Sequence, residues 1–183
     1  MTHTRQKAVH TNGTMKETIV AREEKRQISD MALFWLCLIG TVAVGLTISY
    51  CSGILNGIGQ LKELPMYLPD WLVIAIPPVL FVHMGIALFL ALRENVYTDG
   101  GRMVRNWTWA FWITLMVATA ITPYFVFHGM PTASYALATV STALALGTMI
   151  LCYRQSIASG FVMTVFFIVT ALIMVYLGYW AFA

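Results

Sequence analysis

Five long stretches of this chain contain no Asp, Glu, Lys or Arg, and this absence of charge limits the fold more than any motif does. The stretches span residues 31–51, 71–92, 107–127, 133–153 and about 157–182. An α-helix rises about 1.5 Å per residue, so each stretch is long enough to cross a hydrocarbon core about 30 Å thick. Inside lipid a helix also pairs its own backbone polar groups. The sequence therefore predicts an all-α integral membrane protein, a bundle of five transmembrane helices.

Composition supports the same class of protein. Charged residues make up 10% of the chain and hydrophobic residues 59%, whereas a soluble domain has about 25% charged residues. We expect a polar N-terminal tail over residues 1–30, partly helical at the inner face, followed by one membrane domain over residues 31–183. The net charge of +3 does not indicate a nucleic-acid partner, because the basic residues lie in the tail and beside the span ends.

The basic residues also predict the orientation of the chain. The tail contains six of them, the second connector contains Arg93, Arg102 and Arg105, and the fourth contains Arg154. The first connector contains only Lys62, and the third contains none. Because cytoplasmic segments of membrane proteins are enriched in Lys and Arg, we expect a cytoplasmic N-terminus and a C-terminus outside. A bacterial inner membrane is the expected location.

The first connector, residues 52–70, is unusually apolar for a loop. Three glycines and two prolines mark changes of backbone direction. Its apolar side chains favour burial over exposure to water, so we expect the loop to lie across the outer end of the bundle as a lid. These side chains include Leu61, Leu64, Met66, Tyr67 and Leu68.

Among the His, Asp, Glu, Lys and Arg side chains, only His83 lies deep within a predicted span, roughly 18 Å from its outer end. A neutral imidazole there could bind the metal of a haem or chlorin, or donate to a ligand carbonyl. Alternatively, it could bond a Ser or Thr hydroxyl of another helix. With no carboxylate, Lys or Arg within the spans, the usual proton relays, ion sites and catalytic triads are disfavoured. We therefore do not expect this protein to be an enzyme.

Several short motifs resemble the translocator protein / tryptophan-rich sensory protein family (TspO/MBR). Residues 61–71, LKELPMYLPDW, resemble the family pattern L-x-K-P-x-W-x-P-P-G, and residues 84–87 match its M-G-I-A. Residues 122–125 resemble its S-P-x-F, residues 153–154 fit its W-R, and Trp180 fits the tryptophan of its fifth span. The resemblance extends over residues 31–183 in the number and order of spans.

This resemblance implies a TspO-like five-helix fold and a pocket that opens to the outer face. Family members bind tetrapyrroles and, in mitochondria, sterols. The implied function is a sensor or carrier of an apolar or tetrapyrrole ligand, with haem, porphyrin or (bacterio)chlorophyll as candidate cofactors and His83 as the candidate axial ligand. The expected ligand-binding residues are Tyr67, Pro69 and Trp71 on the lid, His83 as the deep polar group, and Phe81, Phe125 and Tyr176 as stacking partners.

Departures from the family pattern favour a second hypothesis. The acidic residue of the family's fourth span falls at Ser141, and an asparagine of its third span falls at Ala118. Small residues recur every four positions at Thr139, Ala143 and Gly147, a spacing that lets a neighbouring helix approach closely. That neighbour is either another helix of this chain or a second copy. These features fit a homodimer, or an accessory subunit of a larger respiratory or photosynthetic membrane complex.

Overall fold

The computed structural model describes residues 29–51, 70–93 and 99–182, and these residues form five helices. We number them α1 to α5 in chain order. Each is long and apolar enough to cross a membrane, which confirms the prediction of an all-α, five-helix membrane bundle. Residues 1–28 of the N-terminal tail and residues 52–69 of the lid, with Tyr67 and Pro69, lie outside the described residues. The helices are α1 Ser29–Cys51, α2 Asp70–Arg93, α3 Asp99–Phe127, α4 Pro131–Gln155 and α5 Ile157–Phe182.

Helix α3 begins eight residues before the charge-free stretch that was predicted as the third span. The apolar stretch begins at residue 107, but the helix begins at Asp99. Its first turns include the exposed residues Arg102, Arg105 and Asn106. Helical hydrogen bonding continues beyond the hydrocarbon, and long basic side chains can reach the headgroups from there. The absence of charge therefore marks the part of a helix that lies in lipid and not its full length.

Short connections make α3, α4 and α5 successive neighbours. Between α3 and α4 lie three residues, of which Gly129 has a positive φ of 64°. Pro131 then occupies the start of α4, where its missing amide hydrogen breaks no helical bond. Between α4 and α5 lies only Ser156, whose extended backbone donates to the Cys152 carbonyl at 2.8 Å. Connections this short require consecutive helices to run antiparallel.

The chain divides into two compact units at Leu36, within α1. In the first unit, the rings of Phe34 and Trp35 make an edge-to-face contact with centroids 5.4 Å apart. The second unit begins at Cys37 and contains the rest of α1 and all of α2 to α5. The candidate site lies wholly within this second unit.

Small side chains on α4 permit close packing in the second unit. Helix α4 packs against both α3 and α5, and α5 also packs against α2, whereas the backbones of α2 and α3 come close at few points. Of the small residues that the sequence indicated on α4, Thr139 and Ala143 are exposed, while Gly147 accommodates the ring of Phe111. The residues of α4 that are buried are Ser134, Ala138, Ser141, Thr142, Ala145, Thr148 and Cys152.

The middle of the second unit is closely packed. The Trp112 indole donates to the Met84 carbonyl at 3.4 Å and so links α3 to α2. The Ser159 hydroxyl donates to the Ala87 carbonyl at 2.7 Å and links α5 to α2. Large side chains with no exposed surface fill the space between these links: Met84, Leu115, Met163 and Phe166. This packed layer lies about one helical turn from the cavity described next.

Candidate functional site

A cavity of about 470 Å³ lies between α2, α3, α4 and α5. It is at the end of the bundle where α2 and α4 begin and where α3 and α5 end. Side chains from within residues 76–81 of α2, 119–127 of α3 and 169–177 of α5 line it, together with Ala138 and Ser141 of α4. The cavity is thus lined by the four helices that lie wholly within the second unit, α2 to α5.

The cavity is large enough for a small organic molecule. Ligand sites in proteins typically enclose about 300–1,000 Å³, and the volume here is about 470 Å³. A buried apolar cavity of about 150 Å³ accommodates one benzene molecule. By that comparison, this cavity has room for roughly three benzene-sized rings.

The backbones of α2 and α3 come close at few points, and the cavity lies partly between these two helices. Pro77 of α2 and Pro123 of α3 both line it, and a proline inside a helix removes an amide donor and crowds the preceding turn. On the other side of α2, Gly45 accommodates the buried ring of Phe81, because a Cβ at position 45 would lie 2.5 Å from that ring. The Phe81 ring therefore packs against Gly45 of α1 and also lines the cavity.

Five hydroxyl side chains line the otherwise apolar cavity, four from Ser or Thr and one from Tyr176. Thr122 and Thr170 donate to carbonyls of their own helices at 2.8 and 2.9 Å. By contrast, the buried hydroxyl oxygens of Thr119 and Ser141 have no hydrogen-bond partner among the described residues. The site therefore contains two hydroxyl groups that the protein itself leaves unpaired.

The described lining residues carry no charge. None of them is Asp, Glu, Lys, Arg, His or Cys, and the described part of the chain holds no cluster of three or more His, Cys, Asp or Glu side chains suited to a metal ion. The arrangement can enclose an apolar molecule and can hydrogen-bond a neutral polar group on it. It offers no partner for a charged group.

The structure brings together two of the predicted ligand-binding residues. Phe81 of α2 and Tyr176 of α5 both line the cavity. Trp71 is near the same end of the bundle, but its side chain is 68% exposed and is not part of the lining. Phe125 is half-buried and makes an edge-to-face contact with Tyr124, with centroids 5.4 Å apart. It is also not part of the lining.

His83 does not join Phe81 and Tyr176 at the cavity. It is half-buried, and its Nδ1 lies 2.8 Å from the carbonyl oxygen of Val79, one turn earlier in α2. A carbonyl oxygen only accepts hydrogen bonds, so Nδ1 donates in this contact. The partner is thus a carbonyl of its own helix and not a hydroxyl of another helix, which was the alternative expected from the sequence.

Neither of the two unpaired hydroxyls was predicted from the sequence as a site residue. Ser141 was noted only as a departure from a family pattern, and Thr119 was not singled out. Hydroxyl residues are frequent in these spans, and most donate to a carbonyl four residues earlier, as Thr114 and Thr139 do. Nothing in the sequence separates the unpaired hydroxyls from these paired ones, since the difference depends on neighbouring helices.

The chain matches no protein-family model, no curated protein and no solved structure. The resemblance to the TspO/MBR family is therefore carried by the short motifs alone and stays a prediction. What the structure shows is an integral membrane bundle of five helices, with an uncharged, largely apolar cavity at one end.

Proposed function

We propose that this chain is a non-enzymatic membrane protein that binds an apolar ligand in the cavity and acts as a sensor or carrier for it. The observation that carries this proposal is the cavity of about 470 Å³ between four helices. Helices in a membrane gain much of their association energy from close packing. The side chains around this cavity, which is open at the exposed Leu172, lack part of those contacts. A bound apolar molecule would restore them.

The described lining does not fit a haem or a porphyrin, which the family resemblance implies. None of its residues is a Lys or Arg that could pair with propionate groups, and none is a His that could bind the metal. Unpaired carboxylates are costly to place in an apolar site. His83, the candidate axial ligand, is not a lining residue. We therefore place an apolar ligand, and not a tetrapyrrole, in this cavity.

We also propose how the protein is oriented and in which membrane it lies. The distribution of basic residues supports a cytoplasmic N-terminus, and the cavity would then lie in the outer half of a bacterial inner membrane. A ligand would reach it from the outer side or from the outer leaflet of the bilayer.

Binding of 1-aminoanthracene tests the proposal. This uncharged three-ring fluorophore matches the size of the cavity, and its emission increases in apolar sites. We expect saturable binding to the protein in lipid nanodiscs, above the partitioning seen with empty nanodiscs. Ala138→Leu on α4 and Val169→Phe on α5 fill the cavity from two walls, so each is expected to weaken binding at least about tenfold, a change of about 1.4 kcal/mol.

Ala143→Leu is the matched control, because Ala143 is on the same helix as Ala138 but is exposed. Its binding should equal that of the wild type. Equal loss in Ala143→Leu and Ala138→Leu, or no saturable binding at all, would contradict the proposal. Haem in the same nanodiscs should show no protein-dependent shift of its Soret band. A shift that is lost in His83→Ala would favour the tetrapyrrole instead.

A second candidate function is that of an accessory subunit in a larger membrane complex. It is favoured by exposed small residues on α4, namely Ala136, Thr139 and Ala143, because small residues let another helix approach closely. Native gels of mildly solubilised membranes test it, with co-migration in a large assembly as the supporting result. A species near the chain mass of 20.4 kDa would argue against it. Ala143→Leu should release the subunit without affecting ligand binding, which separates the two functions.

A further inference from the structure

Two hydroxyl groups in the cavity wall lack the partners that buried polar groups normally have. Ser141 on α4 is only 4% exposed, and its Oγ has no hydrogen-bond partner among the described residues. Oγ1 of Thr119 also has no hydrogen-bond partner among the described residues. Thr119 is on α3, the helix that packs against α4. Most buried polar side-chain atoms in proteins are hydrogen-bonded, and an unpaired one is unfavourable. Both residues line the cavity. Their oxygens have almost no exposed surface, and rotation of each side chain about χ1 would bring its hydroxyl to a molecule bound there.

Pro123 also changes the backbone hydrogen bonding of α3 at Thr119. In a helix, the carbonyl of Thr119 would accept from the amide of residue 123, but that residue is Pro123 and has no amide hydrogen. The other two Ser or Thr hydroxyls of the lining, on Thr122 and Thr170, already donate to carbonyls of their own helices, and Tyr176 has an interaction of its own. The unpaired hydroxyls of the lining therefore belong to Thr119 and Ser141, on two adjacent helices.

We propose that Ser141 and Thr119 form a hydrogen-bonding subsite that selects uncharged, largely apolar ligands carrying one carbonyl or hydroxyl group. This inference rests on the proposed function and narrows its ligand class. A pure hydrocarbon would fill the cavity but leave both hydroxyls unpaired. A carboxylate or an amine would bring a charge into a lining whose described residues offer no opposite charge. Since a hydroxyl both donates and accepts, the subsite accepts either a ketone or an alcohol.

A series of probes with one skeleton tests the subsite. Fluorene, 9-fluorenone, 9-fluorenol and fluorene-9-carboxylate share three fused rings and differ in a single group. Each competes with 1-aminoanthracene for the wild-type protein in nanodiscs, and its affinity is corrected for partitioning into empty nanodiscs. We expect the ketone and the alcohol to bind roughly fivefold tighter than fluorene, which is the effect of about one neutral hydrogen bond. The carboxylate should bind most weakly.

The double variant Ser141→Ala with Thr119→Val should bind 9-fluorenone no more tightly than fluorene. Saturable binding of fluorene to this variant shows that its cavity is intact. The matched control is Thr122→Val with Thr170→Val, which removes two lining hydroxyls that already have partners and should keep the preference for the ketone.

Two results would overturn the inference while leaving the proposed function in place. One is equal binding of fluorene and 9-fluorenone to the wild type, and the other is equal loss of the preference in both double variants. A different result, in which neither 1-aminoanthracene nor any of the uncharged probes binds saturably, would reject the proposed function and the subsite together.

Discussion

At the scale of single residues, the cavity wall contains two buried hydroxyls without a partner among the described residues, and Ser49 of α1 has another such hydroxyl outside the cavity. Within an apolar helix, a Ser or Thr hydroxyl usually donates to the carbonyl four residues earlier, as Thr41 does to Cys37 at 2.6 Å. Such a bond satisfies the hydroxyl inside its own helix, so the hydroxyl needs no neighbour. Ser141 and Thr119 lack a partner of this kind in the described structure, and in lipid there is little water to replace it.

Removing an unpaired hydroxyl should therefore stabilise the ligand-free protein. We expect Ser141→Ala and Thr119→Val each to raise the free energy of unfolding by about 1 kcal/mol, since an unsatisfied buried hydroxyl is unfavourable by about that amount. Ser159→Ala is the opposite case, because it removes a hydroxyl that donates to the Ala87 carbonyl at 2.7 Å. It should lower the free energy of unfolding by about 1 kcal/mol.

Unfolding by sodium dodecyl sulfate in bicelles, followed by circular dichroism, measures these changes. The free energy of unfolding is expected to rise in Ser141→Ala and to fall in Ser159→Ala, so the comparison does not depend on the absolute stability of the protein. If Ser141→Ala destabilises the protein as much as Ser159→Ala does, then Ser141 has a partner in the absence of ligand.

At the scale of helices, the packing of α2 against α1 depends on glycine. A Cβ at Gly85 would lie 3.0 Å from Cα of Leu38 and 3.1 Å from the carbonyl oxygen of Cys37. Both are backbone atoms, so no side-chain rotation can relieve the contact. This close approach holds α1 against the face of α2 near the packed layer of the second unit.

Gly85→Ala should therefore separate the two helices and destabilise the protein by about 1–3 kcal/mol, the usual effect of overpacking. Gly40→Ala is the matched control on α1, because nothing lies within 4 Å of a Cβ at that position. It should be neutral or stabilise the protein by up to about 1 kcal/mol, since alanine favours a helix more than glycine does. The same bicelle unfolding measures both, and equal effects of the two substitutions would show that α1 and α2 are not in close contact there.

At the scale of the whole molecule, the described helices agree with five membrane crossings, and the charges at their ends predict the orientation. An odd number of crossings places the two ends of the membrane domain on opposite sides. The three cysteines allow this to be measured, because Cys51 at the end of α1 is exposed, whereas Cys37 and Cys152 are buried.

In intact bacterial cells, a membrane-impermeant maleimide should label the protein at Cys51, and Cys51→Ser should abolish the labelling. The matched reporter is Asn106→Cys in the Cys51→Ser background, since Asn106 is exposed near the start of α3, on the side predicted to be cytoplasmic. That variant should be labelled only after the cells are permeabilised. The reverse pattern would mean that the N-terminus lies outside.

The number and position of the helices were predictable from the sequence for a simple physical reason. A charged side chain in hydrocarbon is so unfavourable that the charge-free stretches mark the crossings. The predicted starts of α1, α2 and α4 lie within two residues of the observed Ser29, Asp70 and Pro131. The early start of α3 was not predictable in this way, because its first turns lie outside the charge-free stretch.

The sequence by itself thus determined that the chain crosses the membrane as five helices, because exclusion of charge from lipid acts on each segment separately. Only the tertiary structure decided which side chains meet: Phe81 and Tyr176 line the cavity with Ser141 and Thr119, whereas His83 and Phe125 do not. In water, an apolar stripe reveals the buried face of a helix. In a membrane the surrounding lipid is as apolar as the interior of the bundle, so the pattern of the sequence does not distinguish the face that lines the cavity from the face that contacts lipid.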